Sequence, residues 1–130
     1  MTFSSKFLLF VLLHLSVISC QEPETKDALD GSWFLVRASG GFAGIDQSFP
    51  KGDITWKFHD ATLEIENKYT GQWNVSPPSS KAPYKIVTNG EGMEIFLHDT
   101  YSYSFSIKNK DTLTIWEKNI ADGFGFELVK

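Results

Sequence analysis

The chain has 130 residues, a formal net charge of −4 and a single cysteine, Cys20. One thiol excludes an internal disulfide, and an acidic balance without a basic cluster argues against a nucleic-acid partner. The length sets one domain with one modest core.

The first element is a leader. After Met-Thr-Phe-Ser-Ser-Lys the chain runs FLLFVLLHLSVIS without a formal charge. That run falls short of the ~20 residues a membrane-crossing helix needs. A positive start, a short apolar middle and small residues at the end describe a secretory signal peptide over residues 1–19. His14 is a neutral passenger within it. Val17-Ile18-Ser19-Cys20 then resembles the lipobox of bacterial lipoproteins: a branched apolar residue, another, a small one, then cysteine. The resemblance covers the first 20 residues. It implies cleavage just before Cys20 and acylation of its thiol, palmitate included, and so a partner in the membrane. Lipid contributes about 0.8 kcal/mol per buried methylene, so two or more chains anchor a protein stably. Gln21 after the cysteine resembles the signal for outer-membrane delivery, which implies a cell-envelope location. Loss of Lys6 with the leader leaves 11 of the 12 basic residues against 16 acidic ones.

Residues 20–30, ending in QEPETKDALD, are polar, interrupted by Pro23 and without periodicity, and are read as a flexible tether. From Gly31 alternation takes over. Ile54, Trp56 and Phe58 share one face of DITWKFHD; Leu63 and Ile65 share one face of ATLEIE. Met93, Ile95 and Leu97, then Tyr101, Tyr103, Phe105 and Ile107, repeat the pattern. Leu113 with Ile115, and Phe124, Phe126 and Leu128, complete it. Such period-2 patterning predicts half-buried antiparallel strands near 32–38, 52–59, 61–67, 71–75, 84–89, 92–98, 100–108, 111–117 and 123–129. Asn89-Gly90-Glu91-Gly92 and the KNKD run around Asn109 are predicted turns. The Pro-rich residues 76–83 are predicted to be a loop, and residues 40–50 leave a short helix open. Short strands in sequence order expose two edges unless the sheet closes. The predicted fold is therefore all-β, a small up-and-down antiparallel barrel of eight or nine short strands over residues 31–130.

Gly31-Ser32-Trp33, at the start of the first strand, together with the strand meander resembles the lipocalin-like β-barrel domains of many bacterial lipoproteins. The resemblance implies barrel closure at Gly31 and Trp33, with Trp33 packed across the closed end under a basic residue from the last strand. Lys130 and Arg37 are the candidates, although arginine at the end of the chain is the family's usual choice. It also implies a small apolar ligand inside the barrel.

The residues themselves leave that use open. The predicted inward side chains are nearly all large, and an eight-stranded barrel is just wide enough to be filled by side chains or to hold one small ligand. A buried phenol needs a hydrogen-bond partner. Tyr84, Tyr101 and Tyr103, with Trp56 and Trp73, are therefore the candidate ligand-binding residues. Phe34, Val36, Trp116 and Val129 fall on the polar side of their strands and are expected to form one outer apolar patch. That patch carries the alternative reading, a partner-binding or inhibitor-type envelope protein without a ligand. No nucleophile elbow, P-loop, Cys-x-x-Cys or His-x-x-x-His pair occurs, so no enzyme and no cofactor is expected. His59-Asp60 and His98-Asp99 could ligate a metal only if their turns met at one barrel end; Asp after a strand is ordinary turn chemistry, and no metal is expected.

Overall fold

The computed structural model describes residues 22–72, 75–98, 101–118 and 120–130. The lipidation candidate Cys20 and the ligand candidate Trp73 lie outside the described residues. A short helix, α1 (Glu22–Leu29), precedes β1 (Gly31–Gly40), β2 (Ile45–Ser48), β3 (Ile54–His59), β4 (Thr62–Asn67) and β5 (Ser80–Asn89). They are followed by β6 (Gly92–Leu97), β7 (Tyr101–Lys108), β8 (Thr112–Glu117) and β9 (Phe124–Val129). Strands β1, β3, β4, β5, β6, β7, β8 and β9 are successive antiparallel neighbours, and β9 pairs back to β1. Eight strands thus close an up-and-down barrel, consistent with a lipocalin-like fold. The ninth, β2, pairs with the second half of β1, while β3 takes the first half. Closure pairs both margins of the sheet, which is what short strands in sequence order require.

Three tight turns set the hairpins. Asp60 and Ala61 link β3 to β4 with φ of 49° and 57°, the two positive angles that match the twist of a two-residue hairpin. The β5–β6 turn is held by Asn89 Oδ1, which accepts from Glu91 N at 2.9 Å. Asn109 and Lys110, at φ 53° and 64°, turn β7 into β8. These hairpins, α1 and the final residue Lys130 all fall at one end of the barrel. The β1–β2 turn and the β4–β5, β6–β7 and β8–β9 connections fall at the other.

The buried core follows the predicted alternation, with Trp33, Leu35, Ile54, Phe58, Leu113 and Leu128 completely buried. Four local expectations differ from the structure. The segment read as a tether contains α1: Pro23 sits in its first turn, where a missing N–H removes no helical bond, Lys26 lies in its last turn, and Leu29 is buried. The short helix left open at 40–50 is instead a turn and β2. The strand expected at 71–75 is not formed at its described residues Gly71, Gln72 and Val75. Asn67 turns the chain away there: its side chain donates to Ser76 Oγ at 2.7 Å and Pro77 O at 3.0 Å, and accepts from Tyr69 N at 3.0 Å. Finally, β5 begins inside the predicted Pro-rich loop. It pairs with β4 as far as Pro83 and with β6 from Tyr84 onward, so the residue without an N–H sits where the ladder changes neighbours.

Candidate functional site

One end of the barrel is sealed by the residues that precede and end the ring. Trp33 is fully buried, and its Nε1 donates to Leu29 O at 2.7 Å. Leu29, also fully buried, therefore plugs the end and satisfies the indole. Above the ring lies Lys130, with Nζ 4.6 Å from the Trp33 centroid, a cation–π arrangement. Gly31 joins α1 to β1 at φ 111°, a conformation side-chain-bearing residues rarely adopt. Arg37, the other basic candidate, is engaged elsewhere. It holds Asp46 through two bonds, Nε–Oδ1 at 2.8 Å and Nη2–Oδ2 at 2.7 Å. That hydrogen-bonded pairing raises the Arg37 pKa and lowers that of Asp46.

The interior is filled unevenly. On β1, β3, β4, β8 and β9, inward residues such as Leu35, Trp56, Ile65, Ile115 and Phe126 are at most 5% exposed. On β5, β6 and β7, Ile95 and Phe105 are buried as deeply, whereas Ile86, Leu97, Tyr103 and Ile107 pack against the core half-buried. The three candidate tyrosines lie on this second wall at graded depth. Tyr84, Leu97 and Tyr101 form one row across β5, β6 and β7; Ile86, Ile95, Tyr103 and Glu117 form the next. Tyr84 is buried edge-on to Phe58, with centroids 5.3 Å apart, and burial raises its pKa. Tyr103 is half-buried; burial, then Glu117, then Tyr101 push its phenol upward. Tyr101, predicted to face inward, is 62% exposed. It starts its strand at the open end, where alternation still aims a side chain at the axis but the barrel no longer encloses it. The structure thus brings Tyr101 and Tyr103 to one mouth and leaves Tyr84 deep in the core.

Trp56 is the interior residue with unfinished chemistry. It is 2% exposed and lies 5.6 Å from Phe126 between ring centroids, tilted by 46°. Its Nε1 has no acceptor among the described residues. Around the mouth stand Phe42, Tyr101, Ile120 and Trp116, all large and exposed.

The four outward apolar residues do not form the single patch expected of them. Phe34 pairs directly with Val129, and Lys51 Nζ lies 5.2 Å over the Phe34 ring. Trp116 lies at the opposite end of its strand, against Gly125, where an added Cβ would stand 3.0 Å from Trp116 Cδ1. Between the two groups runs the polar row Arg37, Glu127 and Thr114. Val36 is displaced by a bulge, the register shift between Leu35 and Arg37, and its carbonyl accepts from Phe49 N at 2.9 Å. That bond draws Phe49, 4% exposed, onto the core.

Two polar features complete the surface. Lys118 lies across the outer face of β7 to reach Glu94, at 2.5 Å, and Glu91, at 3.3 Å. Asn89 Nδ2 donates to the same Glu94 oxygen at 2.7 Å. No sequence signal marked this cluster, because Lys118 stands 24 residues from Glu94 along the chain. His59 lies at the sealed end, with Nε2 2.9 Å from Asp60 and Nδ1 3.7 Å from Asp30. It lines a surface groove of about 200 Å³ with Lys57, Asp60, Thr62, Glu64 and Lys81. His98 follows β6 at the opposite end, so the two His-Asp turns do not meet; Asp99 itself lies outside the described residues. Among the described residues no group of three or more His, Cys, Asp or Glu is placed to hold a metal. None of the described helices is long and apolar enough to cross a membrane. No protein-family model, curated protein or solved structure matches the chain.

Proposed function

We propose that this chain is a lipid-anchored lipoprotein of the cell envelope, delivered to the outer membrane, whose barrel holds a small apolar ligand without catalysing a reaction. The observation that carries the ligand reading is the asymmetry of the interior. Leu29, Trp33 and Lys130 stop one end, whereas half-buried Leu97 and Tyr103 line a wall that leads to an exposed apolar rim. The anchor reading is supported by Cys20, the only cysteine, in its lipobox-like context. Helix α1 starts two residues after Cys20 and, at eight residues, spans about 12 Å. Acyl chains on Cys20 would therefore attach near the sealed end and leave the mouth free.

Native mass spectrometry of the full chain, extracted from membranes in mild detergent, tests the ligand reading. A bound small molecule beyond the acyl modification is the expected result; a chain carrying the acyl groups alone contradicts it. Cys20→Ser should abolish palmitate incorporation and release the chain into the soluble fraction, and unchanged labelling overturns the anchor. A second reading, docking of an envelope protein, is favoured by the exposure of Phe42 (95%) and Trp116 (45%). It predicts a partner whose capture is lost in Trp116→Ser while no ligand co-purifies.

A further inference from the structure

We propose that the barrel ligand is a neutral apolar molecule carrying one hydrogen-bond acceptor, a ketone, aldehyde or ester oxygen, which takes the proton of Trp56 Nε1. The proposal rests on the ligand-holding reading above and narrows it to a chemical class.

A buried N–H without an acceptor loses its hydration and gains nothing in exchange, and such groups are uncommon in native interiors. Trp56 carries such a group: it is 2% exposed and unpartnered among the described residues, and its nearest ring is Phe126, which offers no lone pair. The other interior tryptophan described, Trp33, shows how this fold treats an indole that has no further task, by giving it the carbonyl of Leu29. Trp56 sits on β3, which in the ring of eight stands four places from β7 and so across the barrel from it. Tyr103, half-buried, is the inward residue of β7 on that side. An acceptor atom reaching the interior from the mouth would pass half-buried Leu97 and Tyr103 and find a desolvated donor at Trp56.

Charge selects against an anionic ligand. The inward face of the ring strands carries no cation among the described residues: its polar members are the tyrosines, Asn67, Ser80, Thr88 and Glu117. Glu117 stands beside Tyr103 in the β7–β8 ladder, and its carboxylate accepts from Phe124 N at 2.9 Å. The basic residue next to it, Lys118, is turned to the outer face and paired with Glu94 and Glu91. A carboxylate entering here would lose its hydration without meeting a cation, which is costly, whereas a carbonyl needs only the one donor.

Three probes of one shape test this: 2-acetylnaphthalene, 2-isopropenylnaphthalene, which replaces the oxygen by a methylene, and 2-naphthoate. Each is titrated into the full chain in detergent and followed by ¹⁵N–¹H spectra of the indole groups, with the Trp56 signal assigned by Trp56→Phe. The ketone is expected to bind and to move the Trp56 indole proton downfield. The alkene is expected to bind roughly three- to tenfold more weakly, the ratio for one hydrogen bond of ordinary net strength, and the carboxylate more weakly still. Trp56→Phe should bring ketone and alkene to equal affinity. Should that variant not fold, the wild-type titration decides alone. Equal binding of ketone and alkene, preference for the carboxylate, or a Trp56 signal that stays put while probe binds overturns the acceptor proposal and leaves the ligand-holding barrel standing. Failure of all three probes to bind overturns both.

Discussion

At the residue scale, two tryptophans on neighbouring strands differ in how their indole N–H groups are satisfied. Trp33 and Trp56 are paired across β1 and β3, yet one indole is bonded to Leu29 O and covered by Lys130, while the other has no acceptor among the described residues. Trp33→Phe removes a buried hydrogen bond and weakens the cation–π contact, so unfolding by denaturant should show a loss of about 1–3 kcal/mol. Ala61 holds φ at 57°, a left-handed conformation in which a Cβ is unfavourable. Ala61→Gly relieves that strain but adds freedom to the unfolded chain; the expected balance is a gain of about 0.5–1 kcal/mol, read as a raised Tm. The Glu94 carboxyl is held below the ordinary glutamate range by hydrogen bonds from Lys118 and then Asn89. A depressed carboxyl stabilises the fold above its unfolded pKa, and that contribution is lost as pH falls through the folded value. Glu94→Gln should therefore be less stable than the parent at neutral pH, with the difference closing as the solution is acidified below the ordinary glutamate range. Lys118, raised chiefly by its bond to Glu94, behaves in the opposite sense. Its share is present below the ordinary lysine value and disappears as pH rises through the raised one.

At the scale of elements, strands were legible and their ends were not. Alternation is readable wherever one face is buried, and this is why Ile54, Trp56 and Phe58, or Leu113 and Ile115, could be assigned to the core from the sequence alone. Strand ends are decided by contacts between elements, which leave no periodic trace. Leu29 is a lone apolar residue in a polar segment, and its role becomes visible only when Trp33 lies beneath it. Tyr101 keeps the correct parity but sits past the point where the barrel encloses it. Asn67 stops β4 through bonds to Ser76 and Pro77, which no local propensity announces. The outer patch failed because pairing register, not face, separates Phe34 and Val129 from Trp116. Leu29→Ala tests the importance of the helix directly: emptying a fully buried leucine site should cost about 2–5 kcal/mol and raise amide exchange at the start of β1. A loss below half a kilocalorie would show that α1 merely lies against the barrel.

At the scale of the whole molecule, the ring of eight strands, one sealed end and one apolar rim give the chain a direction. Of this, the barrel and the Trp33 seal were legible from the Gly-x-Trp context and the meander. The graded burial of β5, β6 and β7 was not, because nearly every expected inward residue is large and only the packing tells how far each is covered. That asymmetry is the central claim. It is tested most directly by methyl spectra of the full chain recorded with increasing 2-acetylnaphthalene. The account predicts a shift at Leu97, which ends β6 on the mouth side, with Leu29 at the sealed end unmoved. Shifts confined to Val129 and its outer neighbours, or none anywhere, would contradict it.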